Sequence, residues 1–198
     1  MEGVEVPRRE ARAILRKTIM SVGYDRDLAE IGVWSALWLE ERYRNGVTNL
    51  IVYLCLVRGR DFDSLRPRRH EEFAIAGSCP FMLASAIIDL ADKWVPRGGV
   101  AFGAPGCPFL MSASLADWAS QRGKALRFHH FNYSCLMSND GVDIETNDRA
   151  MVGWIDPESE QPMSIELTDD RPEPAVRRVD TVRLPSVRLR GTDALDLS

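Results

Sequence analysis

The sequence predicts an α/β protein with an N-terminal helical hairpin, a βαβαβ parallel core and a β-rich C-terminal extension. Three observations carry that expectation. Residues 1–46 place apolar side chains at helical spacing, and the segment GSCPFMLASAIIDLADKW at 77–94 returns 28 residues later as PGCPFLMSASLADWASQR at 105–122. After Tyr133 the chain changes to short apolar runs separated by turn residues. A chain of 198 residues suits one domain, here divided into the hairpin (1–46), the core (72–132), the extension (133–190) and a flexible tail (192–198).

Helix one is expected from about residue 7 to 22. Ala11, Ile14, Leu15, Thr18, Ile19 and Val22 share one face, with Arg9, Arg12 and Arg16 on the other. Pro7 suits a first turn and Gly23 a C-terminal cap. Asp25 is placed to cap a second helix through Leu28, Ile31, Trp34, Trp38 and Leu39, which Asn45-Gly46 ends. Trp34 and Trp38 are expected as core contacts against helix one rather than as an aromatic platform. The run TNLIVYLCLVR at 48–58 is too uniformly apolar for its period to distinguish helix from strand, and the stretch carrying Arg66, Arg68 and Arg69 reads as a solvated connection.

The doubled segment predicts strand, turn and helix twice. EEFAIAGS precedes the first copy and GGVAFGAPG the second, each a short apolar run closed by glycine. ALRFHHFN at 125–132 supplies a third strand, and crossovers of about 20 residues call for parallel pairing with right-handed connections. The same step leads from Cys79 to Cys107 and on to Cys135, so the three thiols are expected near the C-terminal ends of neighbouring strands, where open α/β sheets bind ligands.

Within each Cys-Pro-Phe, the proline starts a helix with its fixed φ and the phenylalanine plugs that helix onto the sheet, so packing accounts for everything but the cysteines. A thiol at a helix N-terminus faces the positive end of the macrodipole, which favours the thiolate. Cys107 and Cys79 are therefore the candidate nucleophiles, with His130 or its neighbour His129 as base. Adjacent strand residues point to opposite faces, so the two histidines do not share a metal ion, and three thiolates on strands about 4.8 Å apart do not converge on zinc. No metal site is expected.

Ser78, Gly103 and Gly106 are the candidate ligand-binding positions, because small residues before a helix let a carboxylate or phosphate approach free backbone N–H groups. GAPG at 103–106 matches neither G-x-G-x-x-G nor the Walker lysine pattern, so no nucleotide and no cofactor is expected. Asp140, Asp143, Glu145 and Asp148 lack the order of a calcium loop, and Asn139-Asp140-Gly141 reads as a turn.

Composition narrows the function classes. The net charge of −4 leaves no electrostatic footprint for nucleic acid, and the apolar run at 50–57 is far shorter than a membrane span. No secretory signal is visible at the start, so the expectation is a cytoplasmic protein with four free thiols. Its partner is expected to be a small anionic metabolite or another protein, with homo-oligomerisation open.

Three stretches, GYDRDLAEIGVWSALWLEER, VAFGAPGCPFLMSASLADWASQRGKALRF and VRLPSVRLRGTDA, resemble an uncharacterised bacterial domain family of unknown function. The first two helices are also similar to the N-terminal helices of the malate and L-lactate dehydrogenase family. Neither resemblance brings catalytic residues with it. The expected function is binding of a small anionic metabolite or service as an accessory subunit of a metabolic enzyme. The alternative is a thiol-dependent enzyme.

Overall fold

The computed structural model describes residues 3–43, 45–69, 75–76, 79–103, 106–130, 133–146, 162–174, 180–185, 187–190 and 194–197. Strand β1 (Gly3–Pro7) precedes helix α1 (Arg8–Ser21), so Pro7 stands just outside the helix it was expected to begin. Ala11, Leu15 and Ile19 form the buried stripe of α1. Helix α2 (Arg26–Arg42) starts where expected, with the Asp25 carboxylate accepting from the Leu28 N–H at 2.8 Å. The two helices form the anticipated hairpin, tied at its surface by Arg12 and Arg16 on Glu30 and by Arg8 on Glu41. Hydrogen bonds from Arg12 and then Arg16 hold the Glu30 carboxyl below its usual range.

The ambiguous apolar run is helix α3 (Gly46–Val57). Its buried residues Val47, Leu50, Tyr53, Leu54 and Val57 recur at helical intervals, a pattern hidden in sequence because the other positions are apolar too. Asn45-Gly46, read as the stop of α2, begins α3 instead. A Cβ on Gly46 would stand 1.8 Å from the Ala36 carbonyl oxygen, so only glycine permits α3 to start against α2. Trp38 is in the core as expected, whereas Trp34 is 40% exposed, because it occupies the side of α2 turned from the interior.

The main sheet gathers β2 (Arg68–Arg69), β3 (Ile75–Ala76), β4 (Val100–Gly103), β5 (Ala125–His130), β6 (Tyr133–Met137), β7 (Val142–Thr146) and β8 (Pro162–Thr168). Their spatial order is β2-β3-β4-β8-β5-β6-β7. The expected βαβαβ parallel core does not form. β3 and β4 pair in parallel through Ile75 and Phe102, but β8 lies between β4 and β5 and is antiparallel to both. The competitor is a strand more than 30 residues further along, whose Met163 and Ile165 fill the inward positions beside Phe102 and Phe128. Hydrophobic alternation identifies such a strand without naming its neighbours.

β6 likewise returns antiparallel on β5, and β7 on β6, around the Asn139-Asp140-Gly141 turn. Helix α4 (Pro80–Asp89), the short α5 (Ala91–Trp94) and helix α6 (Ser112–Ser120) fill the crossovers. α4 and α6 separate the sheet from the hairpin, and one continuous core joins all three layers. Trp94 and Trp118 pack at 5.4 Å between ring centroids, with the Trp94 indole N–H donating to the Ile87 carbonyl at 2.8 Å.

Strand β9 (Thr181–Pro185) pairs with β1, closing the C-terminal region onto the N-terminus. β10 (Val187–Arg190) and β11 (Ala194–Leu197) form a separate antiparallel pair, so part of the expected flexible tail is strand. Within the expected β-rich extension, residues 147–161 lie outside the described residues. Among the described residues, no helix is long and apolar enough to cross a membrane.

Candidate functional site

The parallel contact of β3 and β4 brings the two Cys-Pro-Phe corners together. In the first copy Cys79 is extended (φ −91°, ψ 110°), its N–H donates to the Leu65 carbonyl at 3.1 Å, and Pro80 begins α4 as its chemistry requires. In the second copy Cys107 adopts the left-handed conformation (φ 55°, ψ 61°), and Pro108 begins a 3-10 turn, Pro108–Met111, leading into α6. Identical triplets thus take different backbones. A non-glycine residue at positive φ is strained, more so before proline.

Both phenylalanines are buried, but each packs on tyrosine of the helical layer, not on the sheet as expected. Phe81 stands edge-on to Tyr53 at 5.6 Å and to Tyr24 at 6.2 Å, and Phe109 packs on Tyr43 at 6.2 Å. The hydroxyls of Tyr24 and Tyr53 are hydrogen-bonded to each other in the interior. The Cys79 thiol reaches both, while the Cys107 thiol lies against the Tyr53 backbone. Tyr53 therefore links the two corners, with Cys79 beside its hydroxyl and Cys107 beside its backbone.

Burial at this hub favours the neutral forms of Tyr24, Tyr53 and Cys107. Burial, and then the adjacent Cys79, pushes both the Tyr24 and Tyr53 hydroxyls up. Burial also pushes the Cys107 thiol up to about 12, against the opposing hydrogen bond from the Tyr53 backbone. The thiolate favoured by a helix N-terminus is outweighed here by desolvation. The dipole argument also needs a developed helix, and Cys107 precedes a four-residue 3-10 turn.

Cys135 sits on β6 opposite Phe128, not at a helix start. Burial raises its thiol, with Asp143 adding to the shift, and its other titratable neighbour is Tyr43. The regular 28-residue step in sequence therefore does not place three equivalent cysteines at one edge. Cys55 is half-buried on α3, and all four cysteines are free.

His129 lies on the outer face of the sheet with its Nε2 3.4 Å from Glu166, away from the buried thiols. His130 is placed by its backbone, paired with Tyr133. Gly103 ends β4 half-buried, Gly106 is buried, and Ser78 lies outside the described residues. Among the described residues no group of three His, Cys, Asp or Glu side chains is placed to hold a metal ion.

Sequence reasoning missed Tyr24 and Tyr53. A signal was present: a hydroxyl inside the apolar run LIVYLCLV must find a partner once buried, and Tyr24 follows directly on the Gly23 cap.

No family model matches the chain, and no curated protein does, so the resemblance to a family of unknown function finds no family match behind it. Among solved structures the chain is similar to malate dehydrogenase from Pyrococcus horikoshii OT3, with a TM-score of 0.50 at 14% identity over 72% of this chain and 50% of that chain. It is also similar to malate dehydrogenase from Entamoeba histolytica, with a TM-score of 0.44 at 13% identity over 75% of this chain and 47% of that one. The chain spans about half the length of each. The first likeness is one of fold, over 72% of this chain, and is consistent with the dehydrogenase resemblance of the two N-terminal helices.

Proposed function

We propose that this chain is a cytoplasmic accessory protein of metabolism, built on part of a dehydrogenase-type fold, that binds a small anionic metabolite of the carboxylate class. The binding region is the rim where the two corners meet. The observation carrying this reading is the parallel contact of β3 and β4 at Ile75 and Phe102, which brings the start of α4 and the 3-10 turn leading into α6 to one sheet edge. The thiols then act as packing groups beneath the rim. Ser78 and the backbone of Gly103 and Gly106 are the groups that meet the ligand, and four free cysteines suit a reducing compartment. The carboxylate class is supported by the fold likeness to an enzyme named for malate.

Thermal melting with malate, lactate, phosphate and sulfate tests this reading. A ligand at about 100 times its Kd adds about 2.7 kcal/mol to stability. A malate-dependent rise in Tm that Gly106→Val abolishes is the expected result. If no anion moves the melting curve and Gly106→Val behaves as wild type, the reading is wrong.

One observation favours the alternative, a thiol enzyme using Cys107 or Cys79 with His130: strained backbone such as that of Cys107 clusters at functional sites. Burial of the thiol speaks for the first reading, and alkylation kinetics separate the two.

A further inference from the structure

The segment Asp169–Pro174, which follows β8, lies across one end of the outer sheet face. Its path is fixed by five ties, one of them Arg171 Nη1 on Asp140 at 3.9 Å. Lys124 Nζ reaches Asp169 at 2.6 Å, and Arg127 Nη2 on β5 reaches Asp170 at 2.5 Å. Arg171 donates to the Gly123 carbonyl at 2.7 Å, and the Glu173 N–H donates to the Asp143 carboxylate on β7 at 2.9 Å. The segment thus leaves β8, passes β5 and reaches β7, with β6 between them.

Arg127, Leu136 and Asp143 form one register row across β5, β6 and β7. Leu136 is the apolar member of that row and is half-buried, while Pro172 is the buried residue of the strap. All five ties involve charged side chains; Asp169 and Asp170 are 83% and 66% exposed, and Arg127 beneath them is 22% exposed. Held by exposed charges around a single buried proline, the segment has little apolar area to keep it closed.

We propose that Asp169–Pro174 is a salt-sensitive strap, which covers the Arg127–Leu136–Asp143 row and lifts as a unit when its ion pairs are screened or removed. Lifting exposes Leu136, frees Asp143 and leaves Arg127 only its pairing with Glu166 on β8, without unfolding the sheet, since the β5–β8 and β5–β6 ladders end before the strap. At 1 M salt the screening length is about 3 Å, so exposed pairs lose most of their attraction. This device is independent of metabolite binding at the rim.

Amide hydrogen exchange of the Glu173 N–H reports the strap, with the β5 amides of Leu126 and Phe128 as reference. The expected result is exchange on the order of tenfold faster at 1 M than at 0.05 M NaCl, as for two or three exposed pairs acting together, with the β5 amides unchanged. Asp170→Asn at low salt should reproduce part of this acceleration with the melting temperature within about 2 °C of wild type. Asp63→Asn, which removes an exposed ion pair elsewhere, should leave Glu173 exchange as it is. The proposal is overturned if Glu173 exchange responds to neither salt nor Asp170→Asn, if Asp63→Asn accelerates it equally, or if the β5 amides accelerate in step with it.

Discussion

The Arg42 guanidinium donates twice to the Asn139 carbonyl oxygen, at 2.7 Å from Nη2 and 3.2 Å from Nε, across 97 positions of sequence. Arg42 also donates to the Trp38 carbonyl and stacks on the Trp38 ring at 4.3 Å. Asn139 in turn accepts nothing from α6 but donates to it, through its N–H to Ser120 and its side-chain amide to Asp117. The β6–β7 turn is thereby clasped between the end of α2 and the end of α6. Partial burial lowers the Arg42 pKa, opposed by Glu41, yet the group stays charged.

Arg42→Ala should destabilise the protein by about 2–3 kcal/mol, since it removes charge-assisted bonds and a buried stem together. Arg42→Lys should recover less than half, because lysine cannot make the paired donation or the flat stack. Arg122→Ala removes a similar stack, on Trp118, from an exposed arginine and should cost under about 1 kcal/mol. Urea unfolding monitored by tryptophan fluorescence ranks the three variants.

Tyr24→Phe and Tyr53→Phe should each cost about 1–3 kcal/mol, because each leaves the other buried hydroxyl short of a partner. The double variant should cost clearly less than the two singles combined, since it removes both members of the pair. Additive losses in a double-mutant cycle would show that the hydroxyls do not depend on each other.

Cys107→Gly should be more stable than Cys107→Ala by about 1 kcal/mol, the reverse of the usual order. Both lose the buried sulfur, but only glycine relieves the strain of φ 55°. Chemical denaturation of the pair is sufficient. Equal stabilities, or the alanine variant above the glycine one, would mean that Cys107 carries no backbone strain.

Alkaline pH should weaken the fold. Burial holds the Cys107 proton up to about 12, and it raises Cys135 as well, whereas an unfolded thiol releases its proton near 8.5. Above about pH 8.5 the folded state binds more protons than the unfolded one, so stability falls as pH rises, by about 1.4 kcal/mol per pH unit for each such thiol. Cys107→Ala should flatten the decline between pH 9 and 11. In native protein at pH 8 Cys55, half-buried where the other three thiols are buried, should be alkylated first, though slowly because burial raises its pKa as well; prompt modification of Cys107 would instead support thiol chemistry.

Of the elements, those written in short-range pattern were legible from the residues alone. The α1–α2 hairpin, the Asp25 cap, Pro80 and Pro108 at their helix starts and the Asn139-Asp140-Gly141 turn all rest on contacts within a few positions. Strand β1 was missed because Val4 and Val6 offer only two alternating positions before a strong helix signal. At the candidate site the side-by-side corners were legible, and the tyrosine hub was not.

The amino-acid order by itself determined where the chain turns helical, where it turns back and which faces are apolar, because propensity, capping and periodicity act locally. Only the tertiary structure decided that β8 separates β4 from β5, that Tyr53 links Cys79 and Cys107 while Cys135 stands elsewhere, and that the three sulfurs are buried. Strand partners and local dielectric depend on side chains brought from distant parts of the chain. No local pattern carries that information, since a strand's alternation is the same whichever neighbour it finds.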